Sequence, residues 1–251
     1  MVEPLFRFEA NEPPKPGALI SLTGAEAKHA ISVRRMRVGE AIQLSNGNGL
    51  RVHGAVQALA PNELVLQVND VTVESLPSIE IHLAQALAKG DRDELAVQAA
   101  TEIGLMGVIP WQSDRSISRW EGAKVAKGVE RWRLIAAEAA KQSLRVFEPT
   151  ISEPKSSAQL ANTFEQFDLV LVLDPTSGVG LGDVQLPSSG RILLVVGPEG
   201  GISDSELSMF ATSGAQLVHI GESILRTSTA GVAAMSAILA LSGAWSKNHS
   251  N

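Results

Sequence analysis

The chain has no cysteine. A disulfide framework, a thiolate metal site and a cysteine nucleophile are therefore excluded, and a reducing compartment fits. A secretory leader is not expected: "MVEPLFRFEANEPP" carries acids and prolines where such a leader needs a basic start and an unbroken apolar core. A cytoplasmic location is expected. No apolar run reaches the roughly 20 residues needed to cross a bilayer. The most apolar window, Ala230 to Trp245, is rich in Ala, Ser and Gly and reads as a buried helix, so no membrane partner is expected. An excess of positive charge is absent too. The formal net charge of −6 argues against a protein that coats nucleic acid unspecifically. Internal repeats and low-complexity segments are lacking, and the phosphate-loop pattern G-x-x-x-x-G-K-[ST] does not occur. Without that loop and a metal-binding carboxylate pair, a nucleotide hydrolase is disfavoured and no metal site is expected.

What is present is a chain of 251 residues with 44% hydrophobic content, enough for one large core or two modest ones. Charge is unevenly distributed: residues 111–150 hold eight basic side chains (Arg115, Arg119, Lys124, Lys127, Arg131, Arg133, Lys141, Arg145) against five acidic ones. A basic middle in an acidic protein is either a solvated helix face or a local contact for a phosphate backbone.

Up to about residue 72, short apolar or alternating runs ("LFRF", "ALISL", "AIQLS", "RVHGAVQAL", "ELVLQV") are separated by Pro, Gly and Asn signals, which predicts a small β-barrel or sandwich. One helical insert, "GAEAKHAISVRRMRVGE", ends in the cluster Arg34, Arg35, Arg37. From residue 79 the rhythm becomes strand, helix, strand. "IEIHLAQAL" (79–87) precedes the helix "RDELAVQAATEIG", where Leu95, Ala99 and Ile103 share a face, and "MGVIPW" follows as a strand. A long helix over about 122–144 buries the stripe Val125, Val129, Trp132, Ala136 and Ala139 and places Lys141 elsewhere. Continuous apolar runs at 168–174, 191–197 and 216–221 predict strands covered on both faces, with helices at 203–213 and 229–242. Residues 75–251 thus read as an α/β domain with a mostly parallel sheet.

The stretch "LLVVGPEGGISDSE" (193–206) breaks a strand into a glycine-rich turn before a helix, at the carboxyl end where open α/β sheets place ligands. It does not match G-x-G-x-x-G, and Pro198 removes an amide donor. Ser203 with Glu206 forms a capping box that occupies the helix amides. Glu199, Asp204 and Glu206 around one helix start repel a polyphosphate, so a neutral or cationic ligand is expected. Gly200 and Gly201 permit positive φ and a close backbone approach, which suits a flat adenosine; a sulfonium cofactor meets both conditions. Two further loops, "IGESILRTSTAG" (220–231) and "LDPTSG" (173–178), also follow strands. The three are either ordinary turns or the walls of one pocket.

The combination of "GPEGG", "ILRTSTA", "ALAKGDRDELAVQAATEIG", "SDRS" and "ERWRLIAAEAAKQS" closely resembles the SPOUT-class ribosomal RNA methyltransferases that methylate N3 of a uridine in 16S rRNA. The resemblance runs from about residue 3 to 245. It implies a PUA-like, RNA-binding β-barrel over 1–72, an α/β domain with a trefoil knot over 75–251, a homodimer, and S-adenosyl-L-methionine as cofactor. The implied partner is 16S rRNA within the small ribosomal subunit. Carried over by position, the cofactor site takes in Leu173, Gly197, Glu199, Gly200, Gly201, Ile220, Gly221, Leu225 and Arg226. RNA-side positions are His29, Arg35, Lys89, Arg92, Arg115, Glu138 and Gln142. Two positions depart from the family: Ser228 stands where many members carry an acid, and Lys28–His29 where members often pair two histidines. His29 is accordingly read as structural or RNA-positioning.

Methylating N3 requires its proton to leave while charge spreads onto O2 and O4, and a donor aimed at that charge helps most. Arg226, always charged, is the candidate; its alternative role is an ion pair with Glu199 or Glu222. Glu199 and Glu138 are the candidate bases. The competing readings are a ribose 2′-O methyltransferase of the same fold and a non-catalytic RNA-binding assembly protein. The first lacks its Asn-Ser-rich last motif here.

Overall fold

Short alternating runs become strands through the first 76 residues of the computed structural model, which describes residues 2–10 and 12–246. In order come β1 (Leu5–Arg7), β2 (Leu19–Thr23), helix α1 (Gly24–Lys28), which runs into a π-helical turn at His29–Val33, then β3 (Ala41–Ser45), β4 (Leu50–Ala60) and β5 (Glu63–Val73). They form one sheet in the order β1-β3-β4-β5-β2, antiparallel except for β1 beside β3. Register shifts at His53/Gly54 and Val56/Ala58 increase the twist of the long β4–β5 pair and curl the sheet. Its inner face gathers Phe6, Leu22, Ile42, Leu44, Val52, Val56, Leu64 and Leu66 into one core, closed by Ala30. The helical insert predicted over 24–40 ends at Val33. Arg34, Arg35 and Arg37 lie in the irregular turn after it, with Arg35 at φ +54°.

The chain divides into two compact units, and residues Ala140–Glu148 belong with the first, beside the chain up to Leu76. The segment lies inside the stretch 75–251 expected from sequence to form the α/β domain. Within the unit, Lys141 Nζ donates to Glu26 Oε1 at 2.8 Å, Arg51 donates to the Leu144 carbonyl at 3.1 Å, and Ser45 Oγ to the Val146 carbonyl at 3.3 Å. Arg7 pairs with Glu148. Lys141 is consequently buried, contrary to its placement off the helix's buried stripe.

The second unit holds β6 (Ile79–Ala86), α2 (Arg92–Glu102), β7 (Gly107–Gln112), α3 (Ala123–Gln142, its last turn counted with the first unit), β8 (Thr150–Ile151), β9 (Lys155–Ser156), α4 (Ser157–Ala161), β10 (Leu169–Leu173), β11 (Gly190–Val196), α5 (Asp204–Thr212), β12 (Gln216–Val218) and α6 (Thr227–Leu241). The sheet order is β12-β10-β11-β6-β7-β8, with β9 also beside β7, and every pairing is parallel. One face packs Leu83, Ile192, Leu194 and Val196 against α2, α3 and α6; the other packs Val170, Val172, Leu193 and Val195 against α4 and α5. Covered on both sides, β10 and β11 carry the continuous apolar runs seen in the sequence.

On α3 the predicted stripe is buried at Val129, Trp132, Ala136 and Ala139, while Val125 is only half-buried. On α2 the predicted face is not: Leu95 is 51% exposed, and the buried side is Asp93, Ala96, Val97, Ala100 and Thr101. The small residues of that side let α6 pack closely, which outweighs the burial of one leucine.

His82 on β6 is 7% exposed, and among the described residues its Nε2 has no hydrogen-bond partner. Burial, assisted by Arg191, pushes its pKa down from 6.5 to about 4. Glu80, 4.0 Å away, is at the limit of ion pairing and does not offset the burial. Because the folded-state pKa is depressed, the unfolded chain binds the proton first as pH falls. Stability is therefore lost between about pH 6.5 and 4, by on the order of 2–3 kcal/mol. In chemical denaturation at stepped pH, His82→Leu is expected to flatten this part of the profile relative to the unsubstituted protein; an unchanged slope would show that His82 does not set it.

Candidate functional site

Parallel pairing brings the carboxyl ends of β10, β11 and β12 to one edge of the sheet. The three loops that leave them enclose a cavity of about 410 Å³. Leu173 and Asp174 come from the first loop, Gly197, Glu199 and Gly201 from the second, and Ile220, Gly221, Leu225 and Arg226 from the third. Of the two readings of these loops, ordinary turns or one pocket, the structure supports the pocket. Its walls are largely apolar: Val196, Ile202, Val218, Ile220 and Leu225 line it, and Ile224 is 81% exposed at its mouth.

The glycine loop is held from outside the cavity. Gly201 sits at φ +72°, and its amide closes a turn onto the Pro198 carbonyl at 2.9 Å. Gly200 does not take a positive φ and does not line the cavity. It lies under Arg115, whose guanidinium donates to the carbonyls of Gly200 (3.2 Å) and Ile202 (3.3 Å). Arg115, expected on the RNA side, thus braces the loop.

The acids are arranged differently from the sequence reading. The capping box exists: Ser203 Oγ accepts from the Glu206 amide, and Glu206 accepts from the Ser203 amide at 3.0 Å. Glu206, however, is 1% exposed and also accepts from the Asp114 amide and the Ser157 hydroxyl. Neither it nor Asp204 faces the cavity. The carboxylates that do are Glu199 and Asp174, the latter bound by its neighbour Thr176. Asp174 went unnoticed because no charge pattern marks it; its place at a strand end was the available signal.

Glu199 is the best-connected group of the loop. Its Oε1 accepts from the Lys89 amide at 3.1 Å and from Arg92 Nη1 at 3.0 Å. Burial works to raise its pKa, but hydrogen bonds from its own amide, from Lys89 and from Arg92 prevail and hold it below the usual carboxylate range. Arg92, placed by resemblance on the RNA side, therefore lines the cavity. The turn before it is a pair of left-handed residues, Gly90 and Asp91, at the start of α2, and the buried Asp93 accepts from the Ala88 amide at 3.1 Å.

Arg226 precedes α6 in extended conformation, exposed at the cavity wall. Among the described residues its side chain makes neither a hydrogen bond nor an ion pair, so the pairing with Glu199 or Glu222 does not occur; Arg92 takes Glu199 instead. Behind it runs a buried relay absent from the sequence reading. Gln85 Nε2 donates to Thr227 Oγ1 at 2.9 Å, and Thr227 Oγ1 donates to the Gly197 carbonyl at 2.8 Å, tying the ends of β6 and β11 to the start of α6. A glutamine inside the apolar run "IHLAQAL" was the signal for it. Ser228 is buried next to Thr227.

The remaining expected RNA-side residues fall in both units. His29 stacks edge-on against Phe6 at 5.9 Å, and Arg35 and Gln142 also lie in the first unit, where Gln142 accepts from Arg34 at 3.5 Å. Glu138 is exposed on α3 in the second unit. Among the described residues there is no cluster able to hold a metal ion and no helix long and apolar enough to cross a membrane.

A family model described as an RNA methyltransferase domain matches residues 74–239, and one described as an RNA methyltransferase PUA domain matches residues 22–69. Ribosomal RNA small subunit methyltransferase E of Mycobacterium tuberculosis is 34% identical over 250 residues, covering 97% of this chain and 95% of that protein. The Bacillus subtilis protein of the same name is 33% identical, covering 87% and 88%. Among solved structures, ribosomal RNA small subunit methyltransferase E from Neisseria gonorrhoeae, bound to S-adenosyl methionine, superposes with a TM-score of 0.86 at 28% identity, covering 96% of this chain and 98% of that one.

Thr227→Val keeps the shape and removes the hydroxyl, so the Gly197 carbonyl loses its side-chain donor and Gln85 Nε2 keeps only the Ala86 carbonyl at 3.2 Å. It is expected to cost about 1–3 kcal/mol, read as a lowered thermal midpoint, whereas Thr227→Ser stays near the starting value. Equal midpoints for Val and Ser would show that the relay contributes nothing.

Proposed function

Since the chain belongs to the ribosomal RNA small subunit methyltransferase E family, we propose that it methylates N3 of one uridine in 16S rRNA, using S-adenosyl-L-methionine and acting as a cytoplasmic homodimer on the small ribosomal subunit. The observation that carries the site assignment is Arg226: an unpaired guanidinium on the wall of an apolar, glycine-looped cavity at the sheet's carboxyl edge.

The residues present fit the cofactor. Val196, Val218, Ile220 and Leu225 offer apolar walls to a flat adenine, and the backbone of Gly197, Glu199, Gly201, Ile220 and Gly221 supplies polar groups. Asp174 supplies negative charge suited to a sulfonium, whereas that of Glu199 is offset by Arg92. A polyphosphate finds little here, since Pro198 lacks an amide hydrogen and the first turn of α5 is occupied by its capping box. When bound, S-adenosyl-L-methionine supplies an electrophilic methyl group. Leu173, Gly197, Gly201, Ile220, Gly221 and Leu225 would hold it, with Gly200 acting through Arg115.

Arg226, exposed at the cavity wall, would place a fixed positive charge beside O2 or O4 of the uracil as N3 gives up its proton to solvent, stabilising the negative charge left on the ring. Glu199 is a weak proton acceptor, because its hydrogen bonds stabilise the ionised form. Its role is to fix the loop against Lys89 and Arg92. Holding the methyl donor and the base in line then supplies much of the rate.

Calorimetry with S-adenosyl-L-methionine, followed by labelled methyl transfer to small-subunit RNA, naked and in assembled particles, tests this reading. Expected are cofactor binding and a methyl group mapped to uridine N3. Methyl on a ribose would overturn the reaction assigned, and no cofactor binding would leave a non-catalytic RNA-binding protein. Arg226→Ala should lower turnover by about 100-fold or more while cofactor affinity changes only a few-fold; unchanged turnover would remove its role.

A further inference from the structure

A second cavity, an open groove of about 540 Å³, lies in the same unit between the 88–94 turn and the first turns of α3. Five bases line it, Lys89, Arg119, Lys124, Lys127 and Arg131, in a protein whose formal net charge is −6. The three acids in its lining are largely withdrawn. Glu94 is held by Arg131 through a two-pronged contact of 2.8 and 3.1 Å. Asp93 is buried and spends its oxygens on the amides of Ala88 and Glu94, with burial raising its pKa. Asp91 alone stays exposed. Among the described residues, the ammonium groups of Lys89, Lys124 and Lys127 have no acidic partner within ion-pairing distance, and Arg119 spends one donor on the Asp114 carbonyl at 3.3 Å. The first turn of α3 contains no acid, so the positive end of its peptide dipoles adds to the field.

The groove also has an aromatic surface. Trp120, half-buried, stands edge-on to the buried Trp132 at 5.1 Å. It lies over Gly128, where a Cβ would come within 2.5 Å of the indole. α3 therefore carries a glycine in mid-helix, at a cost of about 1 kcal/mol relative to alanine, and the indole occupies the space.

One thin wall separates this groove from the cavity already described. Lys89, Gly90 and Asp91 line the groove, Arg92 lines the cavity, and Glu199 Oε1 holds both ends of that turn. We propose that the groove binds the single-stranded RNA backbone next to the target nucleotide, with Lys89, Arg119, Lys124 and Lys127 on consecutive phosphates and Trp120 as a platform for a neighbouring base. This rests on the RNA-methylating role proposed above. A strand following the basic row reaches the 89–92 turn, and the next nucleotide meets the cavity. Lone cations suit phosphates, and an aromatic face stacks any base, so the groove holds the strand without reading its sequence.

The test uses the full chain and the RNA or particle that the unsubstituted protein methylates. Lys124→Glu with Lys127→Glu is expected to weaken RNA binding at least tenfold. It should also reduce the slope of log affinity against log salt by about 1.4, two single-strand phosphate contacts at about 0.7 each. Cofactor affinity should stay within twofold, and the loss in methylation should fall on KM for RNA rather than on kcat. Arg133→Glu, the same kind of charge change on the same helix outside the groove lining, should alter RNA affinity less than threefold. Trp120→Leu should weaken binding and Trp120→Phe restore most of it. The proposal is overturned if the double variant binds RNA with unchanged affinity and salt slope, or if Arg133→Glu weakens binding as much as Lys127→Glu alone. Failure of the unsubstituted protein to bind cofactor or to methylate RNA would instead remove the functional reading itself, and the groove assignment with it.

Discussion

Every pairing in the seven-stranded sheet runs the same way, and the site follows from that constraint. Parallel neighbours cannot be joined by tight hairpins, so each strand's exit must turn away over a face and return through a crossover. The exits of β10, β11 and β12 consequently open on one edge, although more than forty positions separate the first from the last in sequence. Burial of β10 and β11 on both faces keeps that edge rigid. The loops can then be irregular and glycine-containing without loss of position.

The polar groups around the cavity are organised by pairing. Each buried or half-buried acid near the glycine loop has a defined acceptor role: Glu206 for the start of α5 and for Asp114, Asp93 for the start of α2, Glu199 for the 89–92 turn. Arg92 and Arg115 are spent on the loop, one through a carboxylate and one through two carbonyls. With those cations committed, Arg226 is left facing the cavity. The difference between these three arginines lies in partner supply, and it separates residues that shape the site from one free to meet a ligand.

Much of the strand pattern was legible in the sequence, since doubly covered strands and alternating half-covered ones carry different periodicities. The stripe on α3 was legible for the same reason. The face of α2 was not: Ala96, Val97 and Ala100 carry a weak apolar signal beside Leu95, and only the close approach of α6 decides which side is inside. Capping at Ser203 was readable from spacing, yet where Glu206 points depends on Asp114 and Ser157, both far away in sequence. The likeness of motifs marked Arg92 and Arg115 as functional positions, but not the hydrogen bonds that tie both to the glycine loop. Gln85 and Thr227 escaped because a buried polar relay has no local signature beyond one amide in an apolar strand.

The strip from Ala140 to Glu148 bears on how the first unit can be handled as a module. It is not a bead on a string: although most of it comes from the amino-terminal stretch, Glu26, Ser45, Arg51 and Arg7 find their partners in a piece of chain supplied about a hundred positions later. Cutting after Leu76 would strand those groups, and a transplant to another enzyme would need two splices. Exchange of this unit by simple fusion of gene segments is therefore disfavoured, and the two halves of the molecule are expected to have diversified together.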